Sequence, residues 1–445
     1  MVDDPDMGPH SNDGGPLSDQ TSELTGRYIV VFSDEVADDA GASAEALQSL
    51  HGVSNVASSL DFDEGAVDLG QTESADATIF AELGVAVVAA DPSRGGEIAA
   101  FAESDSRILA VEPERIQYAI EQGAVSLEYV RGFRDGVGSL YAELVAQPED
   151  AAAEVGVASS FVDSPAFTWG LVATGASISA RTGAGIGLAI LDTGLDLNHT
   201  DFAGRPIESK SFVAGQAVQD VQGHGTHCVG TSCGPKDPPG PSRRYGVATQ
   251  ARIFAGKVLS NQGSGSDSQI LAGMNWALSN QVRVISMSLG ANVNQVSQAY
   301  ETVGQRALAA GTLILAAAGN NANRAAGDMG FVGMPANSPS IMAVAAVDAN
   351  LRIANFSARS RSLAGGKVDI AGPGVAIYSS WPMPNRYKSI SGTSMATPHV
   401  AGVAALISQA TGARGAQLWA KLTQSARPLS LSSADVGAGL AQAPS

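Results

Sequence analysis

From Gly185 onward the chain alternates apolar runs with Ala-rich helical stretches, and no other feature constrains its fold as much. The runs are Gly187–Leu191, Arg252–Leu259, Val282–Leu289, Leu313–Ala318 and Ile341–Val347. Between and after them, Ser268–Asn280, Ser297–Ala310 and Ser394–Gln409 place apolar residues at helical spacing. A strand that is apolar at every position must be covered on both faces. Strands separated by helices therefore predict an α/β fold built on a parallel sheet.

The first part of the chain reads differently. Residues 1–26 are rich in Asp, Gly, Pro and Ser without periodicity, which predicts a disordered acidic tail. Strand patterns at 27–33, Gly84–Ala89 and Arg107–Glu112 combine with helical patterns at Ala42–Val56 and Gly96–Glu103. Together they predict a small α+β unit over residues 27–120. Residues 121–164 are acidic and Ala-rich, with a helical stretch at Tyr129–Ala146, and read as a linker. Residues 165–445 then form the large α/β domain, with Pro235–Arg244 as a surface loop.

The net charge is 26 − 44 = −18, which argues against nucleic acid as a partner. The average conceals a split. Residues 1–164 hold 32 acids and 6 Arg (−26), while residues 165–445 hold 12 acids and 20 bases (+8). Opposite charge suggests that the two parts dock on each other. Two cysteines exclude a disulfide scaffold. No apolar run approaches the roughly 18 residues of a membrane span. No signal peptide is visible in the first 26 residues, so the compartment stays unassigned.

In parallel sheets the chemistry collects beyond the carboxyl ends of the strands. Those ends offer Asp192, Ser288-Leu289-Gly290 and Gly319-Asn320. Two helix starts stand out: Gly223-His224-Gly-Thr-His-Cys228 and Gly392-Thr-Ser394-Met-Ala-Thr-Pro-His399. A serine hydroxyl is a weak nucleophile and needs a neighbouring base. The His224 imidazole can serve as that base, and a buried carboxylate at Asp192 can orient it. The Ser394 backbone N–H and the Asn320 amide can stabilise an oxyanion. The chain order Asp, His, Ser matches one of the known triad orders, and no G-x-S-x-G elbow surrounds Ser394. Gly183-Ala-Gly-Ile-Gly187 precedes its strand, so a dinucleotide-binding reading fails.

The segments Asp192-Thr-Gly194, His224-Gly-Thr-His-Cys-Val-Gly-Thr231, Ala318-Gly-Asn320 and Gly392–His399 resemble those of the subtilisin-like serine peptidases, over about residues 165–427. The resemblance implies a doubly wound, mostly parallel sheet. It implies a serine endopeptidase with Ser394 as nucleophile, His224 as base, Asp192 as orienter and Asn320 as oxyanion donor. Residues 27–120 resemble the inhibitory propeptide of the same family, through Tyr28-Ile-Val-Val-Phe32 and Ala110-Val-Glu-Pro-Glu114. That implies a self-inhibited precursor with its own propeptide as a partner. About 45 extra residues beyond Tyr118 depart from the family pattern and leave the maturation point open between about 118 and 168.

Further expectations come with the resemblance. Ser286–Gly290 (Ser288, Leu289 and Gly290 within it) and Ala316–Gly319 resemble the walls of the first specificity pocket. Gly263, Ser264 and Gly265 resemble the segment that pairs with an extended peptide or protein substrate. Apolar, Gly-lined walls suggest medium to large uncharged side chains before the cut bond. Calcium is the implied ion, held by the carbonyls of Pro339 and Ile341 and the carboxylate of Asp369. A second family calcium site would use Asp201, but its completing loop is replaced by the Pro-rich stretch, so that site is not expected. His227 and His399 read as structural, Cys228 as a thiol beneath His224, and Cys228 and Cys233 as unpaired. A monomer without a membrane span is expected.

Overall fold

The computed structural model describes residues 24–50, 52–89, 104–120, 161–240, 242–361 and 366–445. The tail up to residue 23, the helical pattern at Gly96–Glu103 and the helical stretch at Tyr129–Ala146 lie outside the described residues.

The first unit contains β1 (Leu24–Phe32), α1 (Ala40–Gln48), β2 (Val56–Ser58), β3 (Ala77–Phe80), β4 (Val85–Val88) and β5 (Ile108–Ala119). The sheet order is β5-β1-β4-β3-β2, antiparallel except for the β2–β3 pair. Val30, Phe32, Ala46, Leu47, Ile79, Ala86 and Val88 form its own buried core under α1. Two boundaries differ from the sequence reading. β1 begins at Leu24, inside the expected tail, because Leu24 pairs with Arg115 of β5. β5 runs seven residues beyond Glu112, since its polar end finds backbone partners in the second unit rather than an apolar face.

The second unit contains α2 (Trp169–Ala173), β6 (Gly187–Asp192), β7 (Ile207–Ser211), α3 (His224–Cys233), β8 (Arg252–Lys257), β9 (Ser264–Ser266) and α4 (Asp267–Ser279). It continues through β10 (Val284–Met287), β11 (Leu289–Gly290), α5 (Gln298–Ala310), β12 (Leu313–Ala317), β13 (Met342–Val347), β14 (Ile370–Pro373), β15 (Ile377–Ser380), β16 (Tyr387–Ile390), α6 (Thr393–Thr411), α7 (Gly415–Ser425) and α8 (Ser433–Val436). Seven strands, in the order β14-β13-β12-β10-β6-β8-β7, form one wholly parallel sheet. Every residue of β10, β12 and β13 is buried, as strands covered on both faces require. The linker is shorter than expected. Phe161 packs on the large core and donates its N–H to the Ala349 carbonyl at 2.8 Å, so this unit begins at 161 or earlier.

The two units meet through acids at helix starts. Glu112 accepts from the Ser297 hydroxyl and the Gln298 N–H, both at 2.6 Å, at the start of α5. Glu114, fully buried, accepts from the Ser268 N–H at 2.8 Å at the start of α4 and from Arg27 Nε at 2.6 Å. The first turn of a helix has unpaired N–H groups and a partial positive charge, so each carboxylate is worth about 0.3–2 kcal/mol there. Arg306 also pairs with Asp38 across the boundary. In a Ser394→Ala chain, Glu112→Ala combined with Glu114→Ala should weaken docking by about 1–3 kcal/mol. Hydrogen exchange would then speed up in residues 108–119 and stay unchanged in β12; equal protection in both chains would refute the capping account.

Candidate active site

The parallel register brings Asp192, at the end of β6, beside the N-terminus of α3. Asp192 is fully buried and accepts from His224 Nδ1 at 2.8 Å and from the Thr193 N–H at 2.7 Å. Burial alone would hold the His224 imidazole neutral, but the Asp192 charge and hydrogen bond, together with the contribution of Cys228, outweigh it and raise the pKa well above 6.5. The close packing depends on glycine. A Cβ on Gly225 would lie 2.3 Å from the Gly194 carbonyl oxygen, so the D-T-G and H-G-T-H segments touch backbone to backbone.

Ser394 occupies the second turn position of α6, also fully buried. Its Oγ contacts the carbonyl oxygen of Ile120, the residue that follows β5, and lies 3.1 Å from the Ser288 carbonyl oxygen. His224 Nε2 is buried and has no partner, while Ser394 Oγ bonds the Ile120 and Ser288 carbonyls and not the imidazole. Asn320 completes the group. Its Oδ1 accepts from the Thr393 N–H at 3.0 Å and the Thr393 hydroxyl at 2.9 Å, which fixes the amide. Its Nδ2 then points at the Ile120 carbonyl oxygen, 3.3 Å away.

The end of β5 lies between two edges of the second unit. Ile116, Gln117 and Tyr118 pair with Ser266, Gly265 and Ser264 of β9, and Tyr118 and Ala119 pair with Gly290 and Leu289 of β11. Ala119 donates to the Gly263 carbonyl at 2.8 Å and Ile120 to that of Ser288 at 3.3 Å. Gly290 leaves room for the Ile120 side chain, since an added Cβ would sit 2.9 Å from its Cδ1. Gly319 lies next to the group and donates its N–H to the Thr393 hydroxyl at 3.2 Å. Gly263, Ser264, Gly265, Ser288, Leu289 and Gly290 thus flank one extended segment, while Gly319 contacts Thr393 beside Ser394.

The subtilase family model, described as peptidase S8, matches residues 183–439. The chain belongs to the subtilase family. Subtilisin DY of Bacillus licheniformis is 41% identical over 226 residues, 51% of this chain and 77% of that protein. Subtilisin E of Bacillus subtilis is 42% identical over 228 residues, 51% of this chain and 56% of that protein. A thermostable alkaline protease of Halalkalibacterium halodurans is 34% identical over 321 residues, 69% of this chain and 82% of that protein. Family membership makes this subtilase a serine-type endopeptidase.

Sequence reasoning missed two residues that hold the base in place. Asp220, buried, accepts from the Gly223 and Thr226 N–H groups at 2.9 and 2.8 Å and from the Thr193 and Thr226 hydroxyls at 3.0 and 2.7 Å. Gln222 Oε1 accepts from the His224 N–H at 2.7 Å. No local signal marked Asp220, because it lies four residues before the helix and the capping position itself is Gly223. Cys228 Sγ lies 3.9 Å from His224 Nδ1, and burial pushes its thiol up to about 11. Cys233 is also free and buried, because α3 runs unbroken between the two. His227 and His399 are structural as expected. Burial holds them at about 3 and about 4, and they bond the Ile377 and Met395 carbonyls.

The two carboxylates considered for calcium differ. Asp201 accepts from the Tyr245 hydroxyl at 2.7 Å and the Tyr387 hydroxyl at 3.0 Å, and pairs with Arg386 at 3.1 Å, so an internal cation already neutralises it. Asp369 accepts the Ala343 N–H at 2.9 Å, and burial still pushes its carboxyl up to about 6. Among the described residues, the one group of three or more His, Cys, Asp or Glu ligands is Asp192, His224 and Cys228, whose members bond one another.

Because its surroundings raise the His224 pKa, the base loses its proton, and activity appears, only at a pH well above the ordinary imidazole value. Asp192→Asn should lower kcat by about 10⁴. It should also shift the acid limb of the kcat/KM profile to lower pH, since the neutral amide no longer favours the imidazolium. A limb that stays in place would separate Asp192 from the titration of His224.

Proposed function

We propose that this subtilase is made as a self-inhibited precursor, in which residues 24–120 act as an inhibitory propeptide and leave after a cut at the Ile120 carbonyl. One observation carries the reading: the Ile120 carbonyl oxygen lies against both Ser394 Oγ and Asn320 Nδ2. In the reaction, Ser394 Oγ attacks the carbonyl carbon while His224 Nε2 takes its proton. Asn320 Nδ2 and the Ser394 N–H hold the oxyanion, worth about 3–4 kcal/mol per donor in this chemistry. His224 then protonates the leaving amine, and water hydrolyses the acyl-enzyme. After the cut, β5 stays in the cleft as a product strand, held by two ladders and by the Glu112 and Glu114 caps. A protein substrate in extended conformation takes the same place once the unit is gone.

The chain with Ser394→Ala should therefore remain intact, while the parent should yield a new N-terminus at Glu121. Intact-mass analysis after expression in a protease-deficient host checks both. Equal processing of the two chains would exclude self-cleavage, and a new N-terminus elsewhere would displace Ile120.

We propose further that Asp369, with the Pro339 and Ile341 carbonyls, binds calcium. What supports this is a buried carboxylate whose charge is met only by the Ala343 N–H and by Lys367; with two carbonyls it would offer oxygen donors of the kind a hard cation takes. Calcium bound there would stabilise the fold and take no part in the chemistry. Calcium at about 100 times its Kd should add about 2.7 kcal/mol to the stability of the Ser394→Ala chain. Asp369→Asn should remove the gain; an equal thermal shift in both would place the ion elsewhere.

A further inference from the structure

Three buried charged side chains lie behind the catalytic base, and the triad uses one of them. Asp192 holds the imidazole. Asp220 accepts from the Thr193 hydroxyl at 3.0 Å and from the Gln222, Gly223 and Thr226 N–H groups at 3.0, 2.9 and 2.8 Å. The third is Lys257, which ends β8 and has no exposed surface. In the parallel register it stands directly opposite Asp192 at the end of β6. Its Nζ donates to the Thr193 carbonyl oxygen at 2.6 Å. Thr193 therefore touches all three: its N–H goes to Asp192, its hydroxyl to Asp220 and its carbonyl to Lys257. With a neutral imidazole, two carboxylates and one ammonium leave a single net negative charge. The imidazolium formed during catalysis brings the group to neutrality. Without the ammonium, two buried anions would stand behind one imidazole, which is strongly disfavoured. Burial lowers the Lys257 pKa, and Asp220 and Asp192 oppose that by favouring the charged form. Cys228, His227 and His399 bring no positive charge at the pH of catalysis: the thiol is held at about 11, the two rings at about 3 and about 4.

We propose that Lys257 is a positioning residue for the catalytic base: its buried ammonium fixes the Thr193 carbonyl and offsets the Asp192 and Asp220 carboxylates, so that Asp192 orients the imidazole without holding its proton too tightly. Removing the positive charge leaves both carboxylates acting on the imidazolium, and His224 then becomes free to accept a proton only at higher pH. Removing the Asp220 charge does the opposite. Lys257 acts through Asp192 and Thr193 and touches no substrate. Its loss therefore slows turnover where the base is protonated and leaves substrate binding as it was.

The test uses active enzyme generated from the full chain, with active sites counted by a fluorophosphonate label, on one peptide substrate across pH. Lys257→Met, close in length and uncharged, should move the acid limb of kcat/KM up by about 0.5–1.5 pH units. Below the limb the rate should fall about 3- to 30-fold, in kcat with KM unchanged, and the loss should fade as pH rises past the new limb. Asp220→Asn should move the limb down, and the two changes together should bring it back toward the parent's position. Lys257→Arg keeps the charge and should leave the limb near the parent's. An NMR titration of the His224 ring protons in the Ser394→Ala chain, with and without Lys257→Met, reads the same upward shift without needing activity. A lysine that only fills space would lower kcat equally at every pH and leave the imidazole titration in place. That result, or a limb that moves the same way for Lys257→Met and Asp220→Asn, would overturn the assignment.

Discussion

A carboxylate with no exposed surface must be compensated, and the compensation of Asp192 organises the site around it. Its partners are the Thr193 N–H and the His224 imidazole, and both sit where they do because β6 ends at the N-terminus of α3. The backbone contact between Gly194 and Gly225 lets the helix come that close. Asp220 then ties Thr193 to the first turn of the same helix through five hydrogen bonds. Lys257 is buried nearby and gives its ammonium to the Thr193 carbonyl at 2.6 Å, while burial lowers its pKa. The imidazole is therefore held on one side by a charge and on the other left with an unpaired Nε2. That asymmetry is what a base needs: a fixed tautomer and a free lone pair.

The charge split between the two parts of the chain finds a different use from simple attraction. Arg306 with Asp38 is an ion pair of the expected kind. Glu112 and Glu114, by contrast, reach backbone N–H groups and serine hydroxyls at the starts of α5 and α4. An exposed ion pair is worth roughly 0–1 kcal/mol and is screened by salt. A carboxylate on a helix start is anchored by directional bonds that ordinary net charge does not describe. The acids of β5 thus do two things at once: they fix the strand along the cleft and they fill orphan donors of helices that would otherwise need water.

Much of this was legible in the sequence, for identifiable reasons. Period and burial agree in the parallel sheet, so runs such as Leu313–Ala318 and Ile341–Val347 mark strands directly. Asp192, His224, Asn320 and Ser394 sit at strand ends and helix starts, where chemistry-bearing residue types are conspicuous. What was not legible is contact between distant segments. Residues Glu114–Ala119 are polar and show no strand period of their own, because their pairing is with β9 and β11 and not with a hydrophobic face. Phe161 fell inside a linker reading because one aromatic in an acidic, Ala-rich stretch carries no periodicity. Asp220 looked like a loop acid, and only the fold places it under Thr193 and the first turn of α3.

Asp201 and Asp369 show how similar residues part company once the surroundings are known. Both are acids in segments that resemble calcium sites, and sequence alone separates them only by the loop that accompanies each. In the fold, the loop between β15 and β16 carries Arg386 back onto Asp201, where two tyrosine hydroxyls complete the shell and the guanidinium also bonds the Pro239 carbonyl at 2.5 Å. A side-chain cation tethered to the chain has no dissociation equilibrium, so stability at this point cannot vary with metal concentration. Asp369 has no such tether: it accepts one backbone N–H, from Ala343, and Lys367 only moderates the cost of burial. A buried carboxylate raised to about 6 is mostly ionised at neutral pH, and a cation from solution would relieve the cost of burying its charge. In both places the location of the compensating group decides whether an acid is closed into the framework or left open to a cation from solution.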